Sequence, residues 1–211
     1  MNRISSIGRE KYGVLKSEKI IDLAEIYEEN IQIVRITRGN LEDISRDLEK
    51  HKLQPLIQKE IVTKDDLSSS EILNFLKDNK LTYLKEDIEY LIQIYMDLLD
   101  VNKIGLRFGV LESTLCPMFH TDYVGIRMIC TYSGLGTEYL YNTRKNKNML
   151  HIQYENNKML EFQNIQKANL FDILLLKGRN YPDNFENGAI HRSPIIKQGE
   201  HRIIMSIDWI D

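Results

Sequence analysis

The side chains of this sequence best suited to chemistry are His120 and Asp122, two positions apart, and His191, which follows 69 residues after the aspartate. In an extended segment, side chains two residues apart project from the same face, so an imidazole and a carboxylate can reach one cation. Two histidines and one carboxylate are the ligand set of non-haem Fe(II) oxygenases and also occur at hydrolytic zinc sites. Taken alone, a His-x-Asp triplet such as that at His120 and Asp122 more often means a surface histidine beside a solvated aspartate. Two other histidines, His151 and His201, could each replace a ligand in this set.

An arginine near the end of the sequence could bind a co-substrate. Arg202 opens a predicted strand, Arg202–Trp209, and shares one face of it with Ile204, Ser206 and Asp208. An arginine buried beside a metal needs an anionic partner, because an unpaired guanidinium is costly to bury. A dicarboxylic keto acid supplies one, since its keto acid end chelates the metal while its distal carboxylate meets the guanidinium. Pairing with an acidic side chain, or exposure on an edge strand, is the alternative for Arg202.

Four further residues could act around the metal, and each also has a plain structural interpretation. Cys116 could be a fourth ligand, a redox-sensitive thiol or a small buried residue. Arg127 could line the cavity as a substrate contact or support a ligand, or it could lie on the surface. Glu138 could accept a hydrogen bond from a ligand histidine, or lie on an exposed rim. Arg192, next to a ligand, could orient it or contact substrate, or it could face away from the site, since adjacent residues of a strand point to opposite sides.

The two halves of the sequence differ in composition, and this difference indicates where helices and strands lie. Residues 101–211 hold eight of the 11 glycines and three of the four prolines, as is typical of turns between short strands. Residues 1–100 hold 15 Lys and Arg against 20 Asp and Glu, and their apolar residues recur at helical spacing. We therefore expect a mainly helical region over 1–100 in the same globule as a β-rich region over 101–211.

Apolar periodicity predicts the individual elements. Helices are expected over Glu18–Glu28, from Leu41 to Leu48, over Ile72–Leu76 and over Leu84–Leu99. Strands are expected over Ile31–Thr37, Ile104–Leu111, Val124–Tyr132, Thr137–Leu140, Leu150–Tyr154, Phe171–Lys177 and Arg202–Trp209. The polar segment Lys59–Ser70 is the best candidate for a mobile loop. Since no helix is predicted between the later strands, the pattern favours an α+β fold with an antiparallel sandwich or barrel.

The overall composition excludes several classes of protein. The 211 residues have a formal net charge of −3, which argues against nucleic acid as the main partner. No apolar run reaches the roughly 18–20 residues of a membrane helix, and residues 1–10 lack the apolar centre of a signal peptide. Two cysteines cannot form a disulfide framework, so we expect a cytoplasmic protein.

Five motifs follow one another in the second half of the sequence: Cys116–Asp122, Arg127–Tyr132, Gly134–Leu140, Leu174–Gly178 and His191–Pro194. Together and in this order they resemble a bacterial family of unknown function, domain of unknown function 1826. The resemblance runs from about residue 106 to 208, and more loosely through the first half.

The same order of motifs is more distantly similar to the prolyl-hydroxylase-like Fe(II)/2-oxoglutarate oxygenases. That resemblance implies a double-stranded β-helix, or cupin-like jelly roll, in the C-terminal half, with the helical region packed on it. It implies Fe(II) on His120, Asp122 and His191, the distal carboxylate of 2-oxoglutarate on Arg202, and a hydrogen bond from Tyr132 to the co-substrate. The implied reaction is hydroxylation of a small molecule or a protein side chain. A non-catalytic, zinc-handling protein on the same barrel is the alternative.

Overall fold

The computed structural model describes residues 9–10 and 13–210. Its strands are β1 (Arg9–Glu10), β2 (Val14–Ser17), β3 (Ile33–Ile36), β4 (Leu56–Thr63), β5 (Lys103–Leu111), β6 (Ile126–Ser133), β7 (Glu138–Tyr139), β8 (Gln166–Lys167), β9 (Ile173–Lys177), β10 (His191–Arg192) and β11 (Arg202–Trp209). Its α-helices are α1 (Glu42–Lys50), α2 (Glu71–Asp78), α3 (Thr82–Leu99) and α4 (Arg144–Asn156), and two 3-10 helices cover Ile20–Tyr27 and Lys64–Ser69.

Eight strands form the main sheet, in the order β1-β2-β3-β9-β6-β11-β5-β4. Neighbouring strands are antiparallel except for β2 and β3, which are parallel. Strands from the first hundred residues therefore extend this sheet at both edges. The prediction of a mobile loop over Lys59–Ser70 is wrong. Strand β4, Leu56–Thr63, pairs residue for residue with β5, and a 3-10 helix follows it.

Helices α1 to α3 cover one face of the main sheet. In α3 the residues Leu84, Ile88, Leu91 and Tyr95 are fully buried, which confirms the predicted apolar stripe. They belong to one large core with alternate residues of β5, β6, β9 and β11, since every second side chain of a strand faces the helices. The opposite face of these strands is left for the smaller sheet and for the site described below.

The smaller sheet has the order β10-β7-β8 and is covered by α4. The prediction of a strand over Leu150–Tyr154 is wrong, because this segment is the C-terminal part of α4. Its alternating apolar residues fit either structure over so short a run. The helix begins where the Thr143 hydroxyl accepts a hydrogen bond from the backbone N–H of Asn146, a capping signal outside the apolar run.

The molecule is therefore an α+β protein with two sheets, as the sequence predicts at that level of detail. The predicted helix over Glu18–Glu28 is a 3-10 helix over Ile20–Tyr27. Within residues 9–10 and 13–210, no helix combines the length and apolar character needed to cross a membrane.

Candidate metal centre

Backbone pairing brings the two predicted histidine ligands together. His120 and His191 form an antiparallel bridge in which each backbone N–H donates to the other residue's carbonyl, at 2.9 and 3.0 Å. Residues directly opposite each other in such a bridge present their side chains to the same side. The two imidazole rings accordingly lie 4.6 Å apart between centroids.

Each imidazole is oriented by a backbone carbonyl two residues before it. Nδ1 of His120 lies 3.0 Å from the carbonyl oxygen of Met118, and Nδ1 of His191 lies 3.0 Å from that of Ala189. A carbonyl can only accept, so the proton of each neutral ring resides on Nδ1 and the lone pair on Nε2. Burial and the neighbouring His191 lower the pKa of His120 below its ordinary value of 6.5, which favours the neutral form that binds metals.

Asp122 completes the cluster. Its carboxylate oxygens lie 3.1 Å from Nε2 of His191 and 3.7 Å from Nε2 of His120, and one ligand atom from each residue falls within 4.8 Å of the other two. Burial raises the pKa of Asp122, but the adjacent His191 and the positive charge of Arg127 outweigh it and hold the pKa well below its ordinary value. The three side chains therefore offer two imidazole lone pairs and an ionised carboxylate to one point.

Arg127 holds the carboxylate in place. Its Nη1 donates to Oδ2 of Asp122 at 2.6 Å, while its Nε and Nη2 donate to the two carboxylate oxygens of Asp208. Strands β6 and β11 put Arg127 directly opposite Asp208. Of the roles predicted for Arg127, the contacts therefore favour one. Its side chain lines the cavity and positions Asp122.

Arg202 lies in the same cavity as the two histidines and is 1% exposed. Its Nη2 donates to the hydroxyls of Thr131 and Thr137, at 3.0 and 2.7 Å, and its Nε is buried without a hydrogen-bond partner. No carboxylate among residues 9–10 and 13–210 forms an ion pair with it. Burial without a countercharge lowers the pKa of Arg202 to about 10.

A glycine turn delivers one of these two hydroxyls. Gly134 has a φ of +79°, and a Cβ on Gly136 would lie 2.0 Å from the carbonyl oxygen of Ala168. Only glycine tolerates both conditions at low cost. The turn thereby brings Thr137 against Arg202, a contact that sequence reasoning missed although it noted the Gly-Leu-Gly-Thr-Glu segment.

Glu138 and Arg192 pair with each other. Nε of Arg192 donates to Glu138 at 2.7 Å, and Lys167 lies 2.9 Å from the same carboxylate. The prediction that Glu138 accepts a hydrogen bond from a ligand histidine is therefore wrong, because both histidine Nδ1 atoms bond to backbone carbonyls. Arg192 lines the cavity with its guanidinium 4.3 Å from the ring centroid of Phe119.

Cys116 lines the cavity as an exposed thiol and is not part of the three-residue cluster, so the structure does not support its prediction as a fourth ligand. His151 and His201 also lie outside the cluster. His151 is on the exposed side of α4, and the ring of His201 lies 3.3 Å from the Ser133 hydroxyl.

Tyr132 does not face the cavity. It lies on the side of β6 that packs under the helices, where its hydroxyl donates to Asp87 of α3 at 2.7 Å. The implied hydrogen bond from Tyr132 to a co-substrate is therefore wrong. Strand alternation explains the error, since Thr131, the neighbouring residue, is the one that points toward Arg202.

Three solved structures share this fold at very low identity. Dioxygenase for auxin oxidation 1 from Arabidopsis thaliana, solved as a complex with 2-oxoglutarate, is 9% identical with a TM-score of 0.50, over 93% of this chain and 91% of its own. The rice dioxygenase for auxin oxidation is 9% identical with a TM-score of 0.50, over 90% and 76% of the two chains. JOX2, solved in complex with 2OG, Fe and JA, is 8% identical with a TM-score of 0.51, over 93% and 75%. The fold is therefore one that 2-oxoglutarate oxygenases use.

The family model for "Protein of unknown function (DUF1826)" matches residues 17–208. The chain belongs to this family, as its motifs predict. Comparison with curated proteins finds no match.

Proposed function

We propose that this protein is an Fe(II)- and 2-oxoglutarate-dependent oxygenase that hydroxylates an organic substrate. The observation that carries the proposal is the presence, in one cavity, of the two histidines of the His-Asp-His cluster and of a buried arginine that has no carboxylate partner among residues 9–10 and 13–210. We further infer that the main and small sheets correspond to the two sheets of a double-stranded β-helix, with Fe(II) between them. The similar structures of the Arabidopsis dioxygenase with 2-oxoglutarate and of JOX2 with 2OG and Fe support this inference.

The donor atoms of the cluster suit Fe(II). Two neutral imidazole nitrogens and one carboxylate oxygen on one side of an ion form the facial triad, which leaves positions open for O₂ and a co-substrate. His120, Asp122 and His191 would hold the ion, Arg127 would keep Asp122 aimed at it, and the carbonyls of Met118 and Ala189 would fix the histidine tautomers.

The environment of Arg202 suits the distal carboxylate of 2-oxoglutarate. Among residues 9–10 and 13–210, its buried Nε has no acceptor and its positive charge has no countercharge. An anion bound there would supply both. Thr131 and Thr137, which each accept from the guanidinium, have hydroxyl protons left to donate to the same carboxylate.

When bound, Fe(II) and 2-oxoglutarate would supply the activation of O₂: the keto acid is oxidised and decarboxylated to succinate and CO₂, and the substrate C–H becomes C–OH. The protein's part is to position these groups and to exclude water. Leu111, Ile129 and Ile204 line part of the cavity with apolar surface. A dry cavity strengthens the ion pair between Arg202 and the co-substrate.

The test uses the purified full-length protein, stripped of metal and then loaded with Fe(II) under anaerobic conditions. Addition of 2-oxoglutarate should produce the weak visible charge-transfer absorption of the chelate, and admission of air should release succinate and CO₂ from labelled 2-oxoglutarate. His120→Ala should abolish Fe(II) retention, whereas His151→Ala, a matched change on the surface of α4, should leave it unchanged. Retention of zinc, with no spectral change and no succinate under any condition, would favour the zinc-handling alternative.

A further inference from the structure

The cavity is lined by a second arginine, Arg107 of β5. Its Nε is buried and makes no hydrogen bond, and no carboxylate among residues 9–10 and 13–210 forms an ion pair with it. Arg107 is not among the site residues predicted from the sequence. The sequence feature that could have indicated Arg107 is its place between Gly105 and Gly109. All three positions lie on the same side of the strand, so the two glycines leave space on both sides of the arginine side chain.

The neighbours of Arg107 make the local charge more positive. The sheet register puts Lys59 of β4 on one side of it and Ser206 of β11 on the other. Asp208, two residues further along β11 than Ser206, is occupied by Arg127 through both carboxylate oxygens. Glu60, beside Lys59, faces the helices and caps the start of α2 instead.

The two arginines are anchored at separate positions of the sheet. Arg202 pairs with Leu111, four residues along β5 from Arg107, which corresponds to about 13 Å between backbones at ~3.3 Å per residue. The guanidinium of Arg202 is also drawn toward β6 by Thr131, away from β5. If 2-oxoglutarate uses one carboxylate on the metal and the other on Arg202, then Arg107 remains available to a different anion.

We infer that Arg107, with Lys59 and Ser206 beside it, binds the anionic group of the substrate, which is a small organic acid with an apolar body. The inference rests on the proposed function in assigning Arg202 to the co-substrate. The apolar part is indicated by Ile57 and Leu115, which line the cavity and are 48% and 49% exposed. A guanidinium fork matches a carboxylate or a phosphate monoester, and the apolar rim favours an acid whose remainder is hydrocarbon.

The test is a calorimetric titration of the metal-free full-length protein with 4-phenylbutyrate, with its neutral amide and with phenyl phosphate. The wild type should bind an acid more tightly than the amide, and the better of the two acids identifies the anionic group. Arg107→Gln should weaken acid binding about 10-fold or more and leave amide binding unchanged, because charge-assisted hydrogen bonds are lost. The exposed control Arg46→Gln should change it less than twofold. Since Arg202 can take up the same acids when 2-oxoglutarate is absent, the comparison is repeated in an Arg202→Gln background, where Arg107→Gln should still weaken acid binding about 10-fold. Should Arg107→Gln fail to fold, Arg107→Lys, which keeps the charge but not the fork, should lower acid affinity severalfold.

Three results would overturn the inference: no preference for either acid over the amide, acid binding unaffected by both changes at Arg107, or loss of acid binding in Arg202→Gln alone. None of these titrations contains Fe(II) or 2-oxoglutarate. A failure here is therefore distinguishable from a failure of the oxygenase proposal, which the spectral and succinate assays decide.

Discussion

Arg127 donates to Asp122 at 2.6 Å with one edge of its guanidinium while the other edge holds both carboxylate oxygens of Asp208. The three side chains are mostly buried, with 14%, 17% and 16% of their surfaces exposed. Since Asp208 belongs to β11, this arginine ties the candidate ligand to a central strand of the main sheet. The geometry of the His-Asp-His cluster is therefore fixed by the sheet as well as by the loop that carries Asp122.

Arg127→Gln should weaken metal binding by roughly 10- to 100-fold, as loss of a partner that orients a ligand usually does. It should also lower the free energy of unfolding by about 3 kcal/mol, because two partly buried carboxylates lose their countercharge. Cobalt(II) titration and urea unfolding of the metal-free protein measure the two effects. Arg46→Gln, which breaks an exposed pair with Asp43, should change neither. Unaltered metal affinity in Arg127→Gln would show that the arginine serves only the fold.

Gly136→Ala tests the turn that carries Thr137. The added Cβ would lie 2.0 Å from the carbonyl oxygen of Ala168, so the backbone on one side must move. We expect a loss of about 1–3 kcal/mol in unfolding free energy and a raised KM for 2-oxoglutarate, with metal content retained. Gly105→Ala is the control, since its Cβ meets nothing closer than 3.6 Å. An unchanged KM in a clearly destabilised Gly136→Ala would separate this turn from co-substrate binding.

Tyr132→Phe tests the corrected position of that side chain. Removing the hydroxyl deletes its hydrogen bond to Asp87, which keeps two hydrogen bonds from Arg38. Thermal or urea unfolding should report a loss of about 1 kcal/mol, and the KM for 2-oxoglutarate should stay within twofold of the wild type. A large rise in KM at unchanged stability would instead place Tyr132 in the co-substrate site.

The sequence predicts which three side chains come together in the candidate metal site, because these residues follow short-range rules. His120 and Asp122 share a side because extended residues alternate, and the return of His191 requires only an antiparallel sheet between them. Helix α3 is predictable for a similar reason, since a long run with one apolar stripe leaves no other structure that buries it.

The contacts that surround the cluster depend on pairing between distant strands, which composition and spacing do not determine. The register of β6 against β11 decides that Arg127 meets Asp208, and the register of β5 against β11 brings Arg107 into the cavity. Tyr132 was misplaced because a one-residue difference in a strand reverses the face of the sheet. Helix α4 was missed because an alternating five-residue run is compatible with both a helix and a strand.

The variant Arg202→Met distinguishes a role of Arg202 in ligand binding from a role in stability. In the ligand-free protein the guanidinium is buried with two threonine hydroxyls and no countercharge, so an apolar side chain of similar length should leave the Tm unchanged or raise it. The same change should raise the KM for 2-oxoglutarate about 10-fold or more, with Fe(II) content unaltered, because the charge-assisted hydrogen bonds to the distal carboxylate are lost. Differential scanning calorimetry, metal analysis and succinate release measure the three quantities, and Arg202→Lys should fall between wild type and Arg202→Met in KM. If Arg202→Met instead has a Tm several degrees lower and an unchanged KM for 2-oxoglutarate, Arg202 is a structural residue and does not bind the co-substrate.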